Sequence, residues 1–485
     1  MNIRLEQTCM LLESDVETPI SLFLRQIGKE QGILLESAEV DGRWGRYSVI
    51  AGDFLLCLHC RKGRLDLDVR DPRLESLAAL AGLPFIEGVR AVLRALEIVP
   101  LPPEDNAVSL DKEGKPLVFP PITRALYGYF GYGVAGLLEP KLAGPLPPEK
   151  AEACLVLPGS LTLFDHSYNR VCRLSLGERP AADADARVDP ELLPAAIGPV
   201  RVNMEHAAYL EMVRGIQERI RQGEAIQVVP SVGFDAPFQG EPFTVYRRLR
   251  RINPSPYMFF MRLPDLVLMG SSPEVMVSCD AGNLRLCPIA GTRPRGAGQM
   301  EDNLFEEELV RDPKEQAEHV MLVDLGRNDL GRVAAPGSVR LDRYMEVERF
   351  SHVMHLTSYI RAELAPGYDA LDILTATFPA GTVSGAPKIR AMEIIAAEEP
   401  APRGPYAGAI GWLGLDKDGV YMDTGIAIRS LWMRDARVFW QAGGGVVFDS
   451  SPENEWKELN SKAGAVLDAI AGAHSRTGDS HVFTH

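Results

Sequence analysis

Strand-like and helical runs alternate along nearly the whole chain, which restricts it to folds that pack helices against sheets. "RYSVIAGDFLLCLHC" and "SLTLFDHSYNRVCRLSL" are rich in β-branched and aromatic residues and read as strands. "NMEHAAYLEMVRGIQERIRQGE" reads as a helix, with Val213, Ile216 and Ile220 on one face and Gly223 as its stop. Proline-rich connections such as "VPLPPEDN" and "GPLPPEKAE" punctuate the first 176 residues. "GERPAADADARVDPELLPAAIGPV" (177–200) lacks periodicity and reads as a linker. We therefore expect a region 1–200, a region 201–473 and a flexible tail 474–485.

Charge narrows the partners. The net charge of −15 argues against a nucleic-acid surface, and an anionic ligand would need local cations, backbone N–H groups or a metal. No run of about 18 apolar residues exists to span a membrane. The first twenty residues carry scattered acids and no apolar signal-peptide core. The 7 cysteines are odd in number and dispersed, as expected of reduced thiols in a cytoplasmic protein. "CLHC" (57–60) mimics a metal or redox pair, but it sits in an apolar strand with no second pair and reads as core packing.

Two helices each carry a carboxylate pair at i, i+3. In "RDPKEQAEHVMLVDL", Asp312 caps and Pro313 starts the helix; Glu315 and Glu318 share one face, and Val320 and Met321 help form the apolar side. In "SSPENEWKELNSKAGAVLDAI", Ser451 caps and Pro452 starts the helix. Glu455, Glu458 and Lys462 share a face, and Leu459, Ala463, Val466 and Ile470 pack. Either helix alone reads as a solvated acidic face. Together they suggest one site with carboxylates projecting from both sides, an all-oxygen donor set that suits Mg²⁺.

Other motifs stay open on their own. His352 and His355 in "SHVMH" lack the third ligand of a zinc site. "FPAGTVSGAPK" (378–388) looks like a phosphate loop but fails the P-loop spacing at Pro387. "QAGGGVVFD" (441–449) is either a bulge or a set of N–H groups that accept an anion. "CPIAGTRPRG" (287–296) sets glycines, prolines and arginines around Ala290.

Taken in order, "SSPEVMV", "PIAGTRPRG", "EHVMLVDLGRNDLGRV", "VERFSHVMHLTS", "TFPAGTVSGAPKIRAMEII", "GPYAGAIGWLG", "GIAIRS", "QAGGGVVFDSSPENEW" and "ELNSKA" resemble the chorismate-utilising enzymes. "ILLESAEVDGRWGRYS" and "ALYGYFGYG" extend the likeness over most of the chain. The resemblance implies an α+β fold: a layered α/β/β/α sandwich of two large, mostly antiparallel sheets with helices outside. It implies Mg²⁺ on Glu318 and Glu458, with Glu315 and Glu455 bonding to the metal's waters. It places Gly291, Thr292, Tyr406, Arg429, Gly443, Gly444, Gly445 and Lys462 on the substrate. Glu274 would be the general acid, His355 would act in the elimination step, and Thr382 would orient the ring hydroxyl region.

Within the family the chain is most similar to the large, chorismate-binding subunit of the anthranilate-forming branch. That branch is a lyase of tryptophan biosynthesis that converts chorismate and ammonia to anthranilate and pyruvate. Relatives making aminodeoxychorismate often carry a lysine nucleophile at the position of Ala290. Those making isochorismate or salicylate use a lysine at the position of Gln227. No glutaminase signature is fused to the chain, so the resemblance implies a separate glutamine amidotransferase subunit in a heterotetramer. "LLES" occurs at 11–14 and 34–37; the second copy matches a regulatory tryptophan pocket holding Ser37, Pro256, Tyr257 and Met258, where L-tryptophan would inhibit. The alternatives are aminodeoxychorismate synthesis without loss of pyruvate, and a tryptophan-sensing protein with a dead active site.

Overall fold

The structure, a computed structural model, describes residues 2–12, 17–37, 46–101, 119–177, 195–349 and 353–472. Most of the expected linker, the tail, His352 and the end of the first "LLES" copy lie outside the described residues.

Almost all strands join one continuous, almost wholly antiparallel sheet that forks into two layers. The fork is made by two long strands, Tyr47–Arg61 and Ala153–Asp165, paired along their lengths with a register break between Phe54 and Leu56. On one side of the break they pair with Gly32–Glu36 and Arg170–Leu176; on the other, with Arg64–Val69 and Ala125–Phe130. One layer continues through Gly32–Glu36, Tyr257–Arg262, Val267–Ser272, Ser430–Arg434, Arg437–Gly443 and Ser231–Gly240. The other continues through Ala125–Phe130, Ala409–Gly414, Met422–Ile426, Val275–Asp280, Asn283–Leu286 and Val353–Glu363.

The alternation of side chains along a strand assigns the layers. In Tyr257–Arg262, Phe259 and Met261 belong to the core that includes Ile410 and Met422 of the other layer. Met258 and Phe260 face a second core with Tyr209, Tyr246 and Trp440, under the helices His206–Arg221, Pro242–Ile252 and Pro452–Ala471. Val323 and Leu330 of the Pro313–Gly331 helix and Leu371 and Leu374 of Ala370–Thr377 join the first core. The order is helix, sheet, sheet, helix. Cys57 and Cys60 are buried in their strand as free thiols. Among the described residues no helix is long and apolar enough to cross a membrane.

One expectation about packing fails. Val320 is 39% exposed, and the buried face of its helix is His319, Leu322, Val323 and Leu330. A helix turns about 100° per residue, so two steps from Glu318 carry Val320 away from both cavity and sheet.

Gly128 and Gly411 face each other across paired strands. A Cβ on Gly411 would lie 2.0 Å from the Asp423 carbonyl oxygen, and one on Gly128 would lie 1.9 Å from that of Cys154. These contacts are with backbone and cannot swing aside. Gly411→Ala is expected to destabilise the protein by about 3 kcal/mol, read as a lower Tm, whereas alanine at Gly464, whose Cβ would meet nothing within 4 Å, should not.

Candidate active site

A cavity of about 650 Å³ gathers the sequence-predicted site residues from distant parts of the chain. Glu274, His355 and Thr382 line it, as do Gly291, Thr292, Tyr406, Arg429, Gly443, Gly444, Gly445 and Lys462. Glu315 and Glu318 enter from one helix, and Glu455 and Glu458 from the other. Ala290 and Gln227 also line the wall.

The first helix is fixed at its start. The Asp312 carboxylate accepts from the Lys314 and Glu315 backbone N–H groups at 3.0 and 3.3 Å. Arg293 donates to Asp312 at 2.8 Å and to Glu315 at 3.2 Å. Arg295 pairs with Asp302 at 2.6 Å. Both arginines of "TRPRG" thus hold the scaffold, a role the sequence reading did not assign. Ser451 occupies the N-cap of the second helix, yet its side chain makes no capping bond; its carbonyl accepts from Asn454 and Glu455 instead.

Backbone geometry explains the glycines. The strand Ile289–Pro294 slips register between Ala290 and Thr292, and Gly291 sits in this bulge at φ +70°. Its carbonyl accepts from His355 Nδ1 at 2.9 Å. A carbonyl only accepts, so Nδ1 carries the proton and Nε2 is the basic nitrogen. Gly443–Gly445 were expected to offer free amides or a bulge, but the Gly444 N–H is already donated to Pro230 at 3.3 Å. A Cβ would meet the Pro230 carbonyl oxygen at 2.6 Å at Gly443, Glu455 at 3.1 Å at Gly444 and the Gln227 amide at 2.6 Å at Gly445. The neighbouring backbone requires a glycine at Gly443, and polar side chains crowd Gly444 and Gly445.

Burial sets the electrostatics. Glu274 is 9% exposed and pushed up to about 7 by desolvation, opposed by the nearby Thr382 hydroxyl, which lacks the geometry of a full hydrogen bond. Burial raises Glu318, although Gln227 Nε2 donates to it at 2.9 Å. Burial also raises Glu455. Lys462 bonds to Glu458 at 2.7 Å and to the Gly443 carbonyl at 3.1 Å, so it is engaged within the site. Burial lowers His355 below the usual histidine range and pushes Tyr406 up to about 12, keeping both neutral. Among the described residues no group of three or more His, Cys, Asp or Glu could cage a metal. The acids fit a hard cation that takes one or two carboxylates and keeps its waters.

Two buried ion pairs that sequence reasoning missed hold this frame. Lys388 binds Asp329 at 2.7 Å and the Thr377 carbonyl at 2.9 Å, so the lysine of "SGAPK" is a tie and not a phosphate ligand. Arg403 binds Glu399 and the Val229 carbonyl at 2.6 Å and the Val383 carbonyl at 2.8 Å, and lies over the rings of Tyr132 and Tyr406. The signal available was a cation in an otherwise apolar segment.

A second cavity, of about 500 Å³, brings together Ser37, Pro256, Tyr257 and Met258. The Tyr257 hydroxyl donates to Asp423 at 2.7 Å, and burial pushes that carboxyl up to about 6. Ser37 Oγ is buried without a hydrogen-bond partner among the described residues.

Residues 98–468 match the family model described as "chorismate binding enzyme". The chain is 40% identical to anthranilate synthase component 1 of Aquifex aeolicus, over 94% of this chain and 92% of that protein. It is 36% identical to the same-named protein of Acinetobacter calcoaceticus, over 94% and 93%. The crystal structure of anthranilate synthase component I from Streptococcus pneumoniae superposes with a TM-score of 0.68 at 30% identity, covering 94% of this chain and 99% of that one.

Glu274 gives a stability test with a definite sign. Its folded-state value lies above the unfolded one, so the folded protein holds the extra proton between about pH 4.5 and 7, and stability falls as pH rises through that window. Glu274→Gln is expected to be more stable than the parent at pH 8 by up to about 3 kcal/mol, with the gain vanishing near pH 4; urea titrations at the two pH values measure it.

Proposed function

The chain belongs to the chorismate-binding enzymes, and on that footing we propose that it is the chorismate-binding component of an anthranilate synthase, making anthranilate and pyruvate from chorismate and ammonia. One observation carries the choice of product. Ala290 and Gln227 line the cavity, at the positions where the resemblance puts a lysine, often in relatives that make aminodeoxychorismate and also in those that make isochorismate. Alanine brings no nucleophile, and the Gln227 amide, donated to Glu318, is no base. Ammonia is left to attack C2.

The residues divide the work. Arg429 forks onto a substrate carboxylate, and Tyr406, kept protonated by burial, donates a hydrogen bond. Glu318 and Glu458 would hold Mg²⁺, with Glu315 and Glu455 bonding to its waters. The ion would supply positive charge for the ring carboxylate. Glu274, protonated near neutral pH, gives its proton to the departing C4 hydroxyl, which leaves as water, and Thr382 orients that region. His355 Nε2 then takes the C2 proton as pyruvate is expelled.

The relatives' designation as component 1 supports a separate amidotransferase subunit as the ammonia source. The second cavity, which sets Pro256, Tyr257 and Met258 beside the buried Ser37 hydroxyl and charged groups such as Arg46, Asp280 and Asp423, supports L-tryptophan as an inhibitor. Work in the cytoplasm fits the free thiols.

Purified protein given chorismate, Mg²⁺ and ammonium should yield anthranilate fluorescence and pyruvate in equal amounts. An aminated product without pyruvate would assign the chain to aminodeoxychorismate synthesis, and no turnover would leave a tryptophan sensor. Glu274→Gln should lower kcat by about 10²–10⁴-fold. Ser37→Phe, which fills the second cavity, should abolish tryptophan inhibition while the KM for chorismate stays unchanged.

A further inference from the structure

Glu274 is reached from two sides. Besides the large cavity, a crevice of about 40 Å³ opens between the Pro313–Gly331 helix and the 377–382 turn. Glu274, Leu322 and Thr382 line both spaces. Of its lining residues Leu286, Leu325, Ala380, Gly381 and Thr382 are half-buried, whereas Cys287 and Thr377 are buried. The volume suits one or a few waters; drug-sized ligands need about 300 Å³ or more. The charged group facing the crevice besides Glu274 is Asp329, which Lys388 neutralises at 2.7 Å. Thr382 Oγ1 is buried with no hydrogen-bond partner among the described residues.

An acid in this position has a recharging problem. Each turnover moves its proton to the C4 oxygen, which departs as water, and leaves a buried carboxylate. The nitrogen added at C2 sheds one proton, so the protons balance over the cycle, but substrate bound in the large cavity would stand between Glu274 and bulk water on that side. We propose that the crevice holds a short water chain that returns a proton from bulk to Glu274 behind the bound substrate, with Thr382 Oγ1 as its inner hydrogen-bonding partner. The inference rests on Glu274 being the general acid.

Ala380→Leu narrows the half-buried part of the crevice at a residue that does not line the large cavity, and Leu325→Ala widens it. With saturating chorismate, Mg²⁺ and ammonium, Ala380→Leu should lower kcat about tenfold. It should also raise the solvent deuterium isotope effect on kcat and leave the chorismate KM within about twofold. Leu325→Ala should keep kcat within about twofold. An unchanged kcat in Ala380→Leu, with a parent-like Tm, would overturn the proposal. So would a raised ammonium KM with an unaltered isotope effect, which would make the crevice an ammonia port. Glu274→Gln run in parallel keeps the two readings apart: if it turns over normally, the general-acid assignment itself is wrong.

Discussion

Five carboxyl groups share one half-buried cavity, and most of the surrounding architecture answers the cost of placing them there. Burial makes Glu274, Glu318 and Glu455 harder to ionise. The protein treats them unequally. Arg293 holds Glu315, the Gln227 amide holds Glu318, and Lys462 holds Glu458. Glu274 receives only the weak pull of Thr382 and drifts toward neutrality. Unequal environments of this kind separate a carboxyl group that keeps its proton from neighbours that ionise more readily.

The unequal treatment depends on rigid ties from outside the cavity. Arg403 links Val229, Val383 and Glu399, while Glu399 in turn accepts from the Ser231 backbone and hydroxyl at 2.8 and 2.7 Å. These bonds bracket Gln227, Thr382 and Gly443. A buried guanidinium is costly unless its donors are matched, and here carbonyls and a carboxylate meet it on several sides.

Local chemistry was legible in the sequence and long-range geometry was not. The Asp312 cap, Pro313 and the i, i+3 carboxylates of both helices follow from short-range rules, and the structure shows the two helices facing one cavity. Alternating segments could not reveal that two long strands with a register break distribute most of the others between layers; that layering entered through resemblance. The glycines of 443–445 announced bare backbone, yet their neighbour Gln227 lies more than 200 residues away in sequence. The bulge at Gly291 is set by the partner strand, and the exposure of Val320 by the direction in which Glu318 must point.

The fork of the sheet reaches beyond the active site. Tyr257–Arg262 is covered on one side by Gly32–Glu36, and Ala409–Gly414 by Ala125–Phe130. A fragment beginning near residue 200 would therefore leave two inner strands with naked hydrogen-bonding edges, inviting self-association in place of folding. The two halves of this chain fold as one piece, and any exchange of the second cavity has to respect the ladder that joins it to the first.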